Sequence, residues 1–369
     1  MNGHRTPRRT SAGPHLLPSR QRSSSLTLLL LAILTCALLL GGTLLVAGCR
    51  SDESASDDTG QSAATETTAV APEDATDDTA VSTTAATALE PAEGTFPVTL
   101  TDDNGTSVSI EAKPTRIVST APANTETLFA LGVGDRVVGV TSLDDYPPEV
   151  ADIAKIGDFQ ANTEAIMALS PDLVVGYSGN EEALAPVQAA GAAVLILNPM
   201  TLEQVYANIT TVGAATGATG AATDLVESMK AEIREVSEAA AAAGESPTVF
   251  YALDNTLWTA GPGSFVDELL SLVNVTNVAA APGADGAAAQ PYYQFAPEQL
   301  VAADPDVILL PGSIYMTADE FTSDPRFAGL TAVKEGRVVV VDDVLITRPG
   351  PRIGEGLKIL AEAIHPGAL

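Results

Sequence analysis

Apolar and polar positions follow one pattern twice in this chain. EAIMALSPDLVVGY runs from Glu164 to Tyr177, and EQLVAADPDVILLPG runs from Glu298 to Gly312. In each copy a glutamate stands seven residues ahead of a Pro-Asp pair, small and apolar residues fill the interval, and branched apolar residues follow. The proline biases its predecessor out of the helical region, and the run after it is short and β-rich. The pattern predicts a helix running into a buried strand. Two copies, 134 residues apart, predict two similar α/β lobes.

The sequence around the repeat fills in those lobes. Phe96 to Pro114 alternates apolar and polar on both sides of Asp103, Asn104 and Gly105, which predicts a β-hairpin with Asn-Gly in its turn. Arg116–Thr120 reads as a short buried strand. After Pro122 a helix is expected with Asn124 or Thr125 as its cap and Gly132 as its stop, and Arg136–Thr141 reads as the next strand. Strand, helix, strand in so few residues means a parallel unit. Asp144–Val150 is expected as a loop held extended by two prolines, and Asn162 and Thr163 as the cap of the helix carrying Glu164. Ala192–Leu197 closes the first sheet. Helices follow at Leu202–Ala215 and at about Ala221–Ala243, the second with Leu225, Val226, Met229, Ile233 and Val236 on one stripe. Beyond it come a strand at Thr248–Leu253, a Gly261-Pro262-Gly263 loop into a helix capped by Ser264, the second repeat, Arg337–Arg352, and a final helix at Ile353–Ile364.

The expected fold class is α/β. Two Rossmann-like lobes, 96–220 and 246–369, carry central parallel sheets and are joined by one long rigid helix, 221–245. A β-hairpin leads the first lobe, and a ligand cleft lies where the strand ends of the two lobes face each other.

The segments ahead of the lobes read differently. Met1 to Arg22 carries Arg5, Arg8, Arg9, Arg20 and Arg22 with no acid, and Leu26–Val46 is almost unbroken apolar sequence ending before Cys49. Residues 1–48 therefore read as a secretory signal. Val46 to Cys49 resembles the bacterial lipobox, which implies acylation of Cys49 and contact with the membrane through that lipid anchor. An uncleaved signal anchor is the alternative, since about 20 apolar residues span a bilayer; in both cases the rest of the chain faces outward. Residues 49–95 are rich in Ser, Thr, Ala, Asp and Glu, a composition expected of a disordered acidic tether. Glycosylation of its threonines stays open.

Composition narrows the chemistry. With Cys36 in the signal and Cys49 acylated, the mature chain has no thiol for a disulfide or a metal. All 47 acids follow the signal but only 13 of the 18 basic residues do, a net charge of −34 that repels nucleic acid and anionic lipid. The histidines are His4, His15 and His365, so a His-and-carboxylate zinc or manganese site and a His-ligated haem are not expected. Neither a Ser-His-Asp set, a cysteine nucleophile nor a phosphate- or dinucleotide-binding glycine pattern is present, so no enzyme is expected. A structural cell-surface module remains a rival.

RIVSTAPANTETLFALG, DDYPPEV, IGDFQANTEAIMALSPDLVV and FAPEQLVAADPDVILL resemble the extracytoplasmic solute-binding proteins of ABC importers for vitamin B12 and ferric siderophores, over about Phe96 to Leu369. The resemblance implies a monomer with little domain closure that delivers a metal chelate to a membrane permease. It implies permease docking by Glu164 and Glu298, and ligand contact by Tyr146, Phe159, Tyr177, Tyr292, Tyr293 and Arg348. Phe159 and Tyr177 stand where one cobalamin-binding branch has tryptophans. For the glutamates the plain alternative is a solvated first-turn acid; for the aromatics and Trp258 it is packing, and for Arg348 a surface salt bridge. No cofactor is implied beyond the ligand itself, a corrinoid or a ferric siderophore. An aromatic, largely uncharged cleft with only Arg348 and Arg352 nearby suits a corrinoid better than an anionic siderophore; haem is the other alternative.

Overall fold

Both copies of the repeated stretch fold as a short helix followed by a central strand of a parallel sheet. The structure, a computed structural model, describes residues 94–281, 290–313 and 317–369; the signal, Cys49 and nearly all of the tether lie outside the described residues. Strands β1 (Val98–Thr101) and β2 (Ser107–Ile110) form the expected antiparallel hairpin, and Gly105 supplies the left-handed turn position at φ +76°. Strands β3 (Ile117–Ser119), β4 (Val137–Val140), β5 (Ala154–Lys155), β6 (Leu173–Tyr177) and β7 (Ala193–Leu197) make a parallel sheet in the order β5-β4-β3-β6-β7.

The second lobe adds β8 (Thr248–Tyr251), β9 (Trp258–Ala260), β10 (Thr276–Asn277), β11 (Tyr292–Gln294), β12 (Val307–Pro311) and β13 (Val338–Val341). Its parallel sheet has the order β10-β8-β12-β13, while β9 and β11 pair antiparallel beside it. Buried on both faces, the inner strands β3, β6, β8 and β12 are almost wholly apolar. Successive residues nevertheless divide between cores. Ile117, Leu173, Val175, Leu195, Val249, Tyr251, Val307 and Leu309 belong to one cluster shared by both lobes. Their neighbours Val118, Val174 and Val194 pack in a separate cluster of the first lobe, and Phe250, Ile308 and Leu310 in one of the second.

The repeat has a structural purpose in its aspartates. Asp172 accepts hydrogen bonds from the backbone and hydroxyl of Thr115 at 2.8 Å each and from the Arg116 backbone at 3.0 Å. Asp306 accepts the corresponding pair from Thr248 at 2.8 and 2.7 Å. Each carboxylate stands just ahead of its own strand and holds the start of the neighbouring one, β3 beside β6 and β8 beside β12. Each is preceded by a left-handed residue, Ser170 or Asp304, and then the proline that ends the helix.

The helix Thr219–Ala242 runs between the two lobes and turns Ala222, Met229, Ile233, Val236 and Ala240 inward. It packs on the helices Leu202–Thr216 and Ile353–Ile364. Gly213 permits the first contact, because a Cβ there would stand 2.4 Å from that of Ala222.

Two local expectations need correction. The helix after β3 spans Pro122–Ala130 with Ala121 as its cap, so neither Asn124 nor Thr125 caps it. Their side chains are taken elsewhere: Asn124 donates to the Gly176 carbonyl at 3.0 Å and Thr125 donates to the Ser119 hydroxyl at 2.8 Å. The second correction is that the two prolines after Tyr146 do not keep the whole loop extended, since Pro148–Asp152 closes into a 3-10 helix.

Losing either repeated carboxylate leaves backbone donors at a strand start without their acceptor. Asp172→Ala and Asp306→Ala are each expected to lower unfolding free energy by about 1–3 kcal/mol, read from the shift of a urea transition; no shift in either variant would show the clamps to be idle.

Candidate functional site

A parallel sheet gathers the loops that leave its strands at one edge. In the first lobe, β3 leads to the helix carrying Glu126, β4 to Asp144, Asp145 and Tyr146, and β5 to Phe159, while Tyr177 is the last residue of β6. In the second lobe, β13 leads through the short helix Asp343–Thr347 to Arg348 and Arg352. These two carboxyl edges meet. Arg348 Nη1 donates to Glu126 Oε1 at 2.7 Å and to Asp145 Oδ1 at 2.8 Å, and Arg352 grips Glu126 with Nε at 2.9 Å and Nη2 at 2.6 Å. The Glu126 side chain is 2 % exposed, and the Asp145 side chain 63 %. One carboxylate is an anchor and the other is a rim group.

The same junction orients an aromatic ring. The Arg352 guanidinium stands 3.9 Å from the centroid of Tyr146, a cation–π contact that covers one face of a ring still 44 % exposed. Asp144 shapes the loop that carries it, accepting from the Thr141 backbone at 2.9 Å and from the Thr141 hydroxyl. Gly350 comes against Ala123, so backbone touches helix at the same seam.

The remaining candidates divide. Phe159 and Tyr177 are exposed on the first lobe and Tyr292 is half-buried on the second. Desolvation raises the pKa of Tyr177 and of Tyr292, and a Phe265 backbone hydrogen bond opposes it at Tyr292; ionised Tyr177 would raise Tyr292 further, so the two phenols lie within electrostatic reach across the lobes. Tyr293 is corrected from the ligand-facing set. It is buried, its hydroxyl donates to the Ala279 carbonyl at 2.7 Å, its ring packs near Phe295, and burial pushes its phenol up to about 12. Adjacent residues of a strand face opposite sides, so Tyr293 enters the core of the second lobe while half-buried Tyr292, paired with Ala260, lies against the cluster shared by both lobes. Trp258 is half-buried on β9. Arg348 is no surface salt bridge: burial opposes its charge, but hydrogen bonds to Asp145 and Glu126 hold its pKa above the ordinary value.

Glu164 and Glu298 are both exposed in the first turn of their helices, Thr163–Ala168 and Pro297–Ala303. One turn further along, each helix exposes an apolar side chain, Met167 and Val301. Asn162 caps the first of these helices as expected, accepting from Ala165 at 3.0 Å. Glu298 differs in having Arg326 near enough for its charge to raise the arginine pKa, after the larger effect of Asp324.

This two-lobed frame with matched helices and strand edges has known counterparts. The description "periplasmic binding protein" fits residues 117–345. This chain belongs to the periplasmic binding protein family. The substrate-binding lipoprotein YvrC of an ABC transporter in Bacillus subtilis is 36% identical over 280 residues, covering 73% of this chain and 86% of its own. The vitamin B12-binding protein of Salmonella typhimurium is 30% identical over 252 residues, covering 68% and 90%. Among solved structures, the periplasmic heme-binding protein RhuT from Roseiflexus superposes with a TM-score of 0.61 at 30% identity, over 69% of this chain and 99% of its own. As a member of that family, the chain is a substrate-binding protein.

The residues that sequence reasoning missed in this family member are Glu126 and Asp145, whose partners lie more than 200 positions away. Glu126→Ala would leave two arginines facing each other in a largely dry seam. It is expected to cost about 3–5 kcal/mol, measured by denaturant unfolding, and a loss below about 1 kcal/mol would mean that the pairs act as surface pairs. The tyrosines give a pH test. Tyr177, Tyr206, Tyr251, Tyr292 and Tyr293 all have raised pKa values, chiefly from desolvation. The folded state therefore binds these protons more tightly than the unfolded chain, and stability is full below about pH 10 and falls as pH rises through the folded values. Absorbance at 295 nm should show late phenolate formation coincident with loss of circular dichroism; early titration of all tyrosines with the fold intact would contradict it.

Proposed function

We propose that this chain is an extracytoplasmic, lipid-anchored, monomeric binding protein that captures a corrinoid and hands it unchanged to an ABC importer permease. The observation that carries the ligand class is the charge balance at the strand ends. The two arginines there are matched by Glu126 and Asp145, while the surrounding candidates are the rings of Tyr146, Phe159, Tyr177 and Tyr292. A large ligand fringed with neutral amides suits rings, phenol hydroxyls and a pre-paired arginine. A siderophore with several anionic groups would want cations to spare. The vitamin B12-binding relative supports the same choice.

Haem is the second reading, favoured by the likeness to the heme-binding RhuT. Against it, the one histidine among the described residues, His365, is buried with Nε2 at 2.8 Å from the Val273 carbonyl, which leaves no imidazole for a haem iron. A ferric siderophore would use Arg348 and Arg352 after displacing their carboxylates. In this reading the ligand leaves as it arrived.

Delivery rests on Glu164 and Glu298. Each lobe presents one exposed first-turn glutamate beside one exposed apolar side chain, Met167 or Val301, so a partner bearing two cations with apolar neighbours would be oriented by both lobes at once. Cys49 would hold the protein at the membrane surface through its lipid, and the tether would give the lobes reach.

Two measurements test this. Fluorescence of Trp258 and the tyrosines, corrected for ligand absorption, should show saturable binding of cyanocobalamin and none of a ferric hydroxamate siderophore; the reverse result would leave transport intact but change the cargo. The double variant Glu164→Ala, Glu298→Ala should keep its corrinoid affinity within about twofold, about 0.4 kcal/mol, and abolish uptake in cells. Uptake at the unaltered rate would remove the docking role.

A further inference from the structure

The two carboxylates on Arg348 are held very differently. Glu126 is fully enclosed and takes three hydrogen bonds, two from Arg352 and one from Arg348. Asp145 takes one, at 2.8 Å, from the same Nη1 that serves Glu126, and most of its side chain faces solvent. Among the described residues, Arg348 Nε and Nη2 donate to no protein group, while the side chain keeps 14 % exposure. Arg348 is therefore anchored on its inner side and met by a replaceable carboxylate on its outer side. Asp145 also immediately precedes Tyr146, the ring that Arg352 stacks upon.

We infer that Asp145 is a specificity-determining residue, a built-in carboxylate on Arg348 that selects uncharged-fringed ligands and turns away ligands presenting carboxylates. This deepens the binding reading above and rests on it. The cluster of Glu126, Asp145, Arg348 and Arg352 sums to zero charge, and Glu355 stands near enough to Arg352 to be felt there. A ligand carboxylate entering this corner finds no free positive charge. To use the free N–H groups of Arg348 it must lie beside the Asp145 carboxylate, whose like charge opposes it, or else push Asp145 off the guanidinium. A ligand amide meets neither penalty, because its carbonyl accepts from the unused Arg348 N–H groups while Asp145 remains in place. Rejection by an already present like charge is a repulsive element against the wrong ligand that leaves the right one unweakened.

The test compares ligands of the same shape that differ in one charge. Cyanocobalamin and its monocarboxylic acids, in which one peripheral propionamide is hydrolysed, would be titrated into the full chain and into Asp145→Asn, with hemin as a third probe. Circular dichroism and urea midpoint check that the variant is folded. The unaltered protein should prefer the amide over at least one of the acids by about tenfold. Asp145→Asn should narrow that gap to about twofold by strengthening the acid, leave cyanocobalamin within about twofold, and raise hemin affinity by about tenfold. The gain should shrink as salt rises. An unchanged amide-to-acid ratio in the variant overturns the inference, as does an equal gain for both ligands. Should the unaltered protein bind hemin and neither corrinoid, the corrinoid proposal fails, and the hemin ratio between variant and parent still decides the role of Asp145: about tenfold tighter upholds it, no change overturns it. Binding of none of the three by either protein overturns both.

Discussion

A carboxylate removed from water needs a cation, and in this protein the need is met across the lobes. Glu126 lies on the first-lobe helix Pro122–Ala130, and the arginines that satisfy it come after β13 of the second. Left buried and unpaired it would cost several kcal/mol, so as long as the seam stays dry the two carboxyl edges are held in the register that brings the arginines to it. Apolar packing acts in the same direction. The helix Thr219–Ala242 turns one stripe into the core shared by both lobes and packs on the final helix Ile353–Ile364. Charge pairing on one side and apolar burial on the other together define the relative position of the lobes, and through it the shape of the cleft.

Around that constraint the lobes are variations on one unit. Each has a short helix, a left-handed residue, a proline, and an aspartate whose carboxylate reaches sideways to the start of the adjacent strand. The aspartate solves a problem common to both sheets. Backbone donors at the start of an inner strand have no ladder partner yet, and a carboxylate from the next strand supplies one. The same unit places a glutamate in the first turn of each helix, where the dipole tolerates an acid and solvent reaches it. The matched placement of Glu164 and Glu298 is thus a by-product of building the two lobes from one plan.

The cleft itself is not symmetric. The first lobe contributes loops with exposed rings, Tyr146 and Phe159, and the strand-end Tyr177, whereas the second contributes Tyr292 and a pair of arginines already committed to first-lobe acids. In the proposed reading a ligand would meet aromatic surface mainly from one side and prearranged charge from the other. That division is chemical as well as geometric, because rings bind area with little selectivity and paired charges bind little but discriminate.

Much of this was legible along the chain. The helix–Pro-Asp–strand repeat, the hairpin turn at Gly105, the Asn162 and Ser264 caps and the last helix all depend on interactions within a few residues, and all lie where local pattern puts them. Sequence reasoning failed where a side chain found a stronger partner far along the chain. Asn124 gave up capping for a carbonyl of β6, and Tyr293 went to the second-lobe core while its neighbour Tyr292 stayed half-buried on the other face, a choice made by the pairing of β11 on β9. Arg348 and Arg352 find Glu126 at separations of 222 and 226 residues, which no local pattern encodes. Periodicity and caps are properties of the near chain, so the order of elements was decided there. Which charges cancel at the cleft is a property of two sheet edges brought face to face, and that exists only in the folded protein.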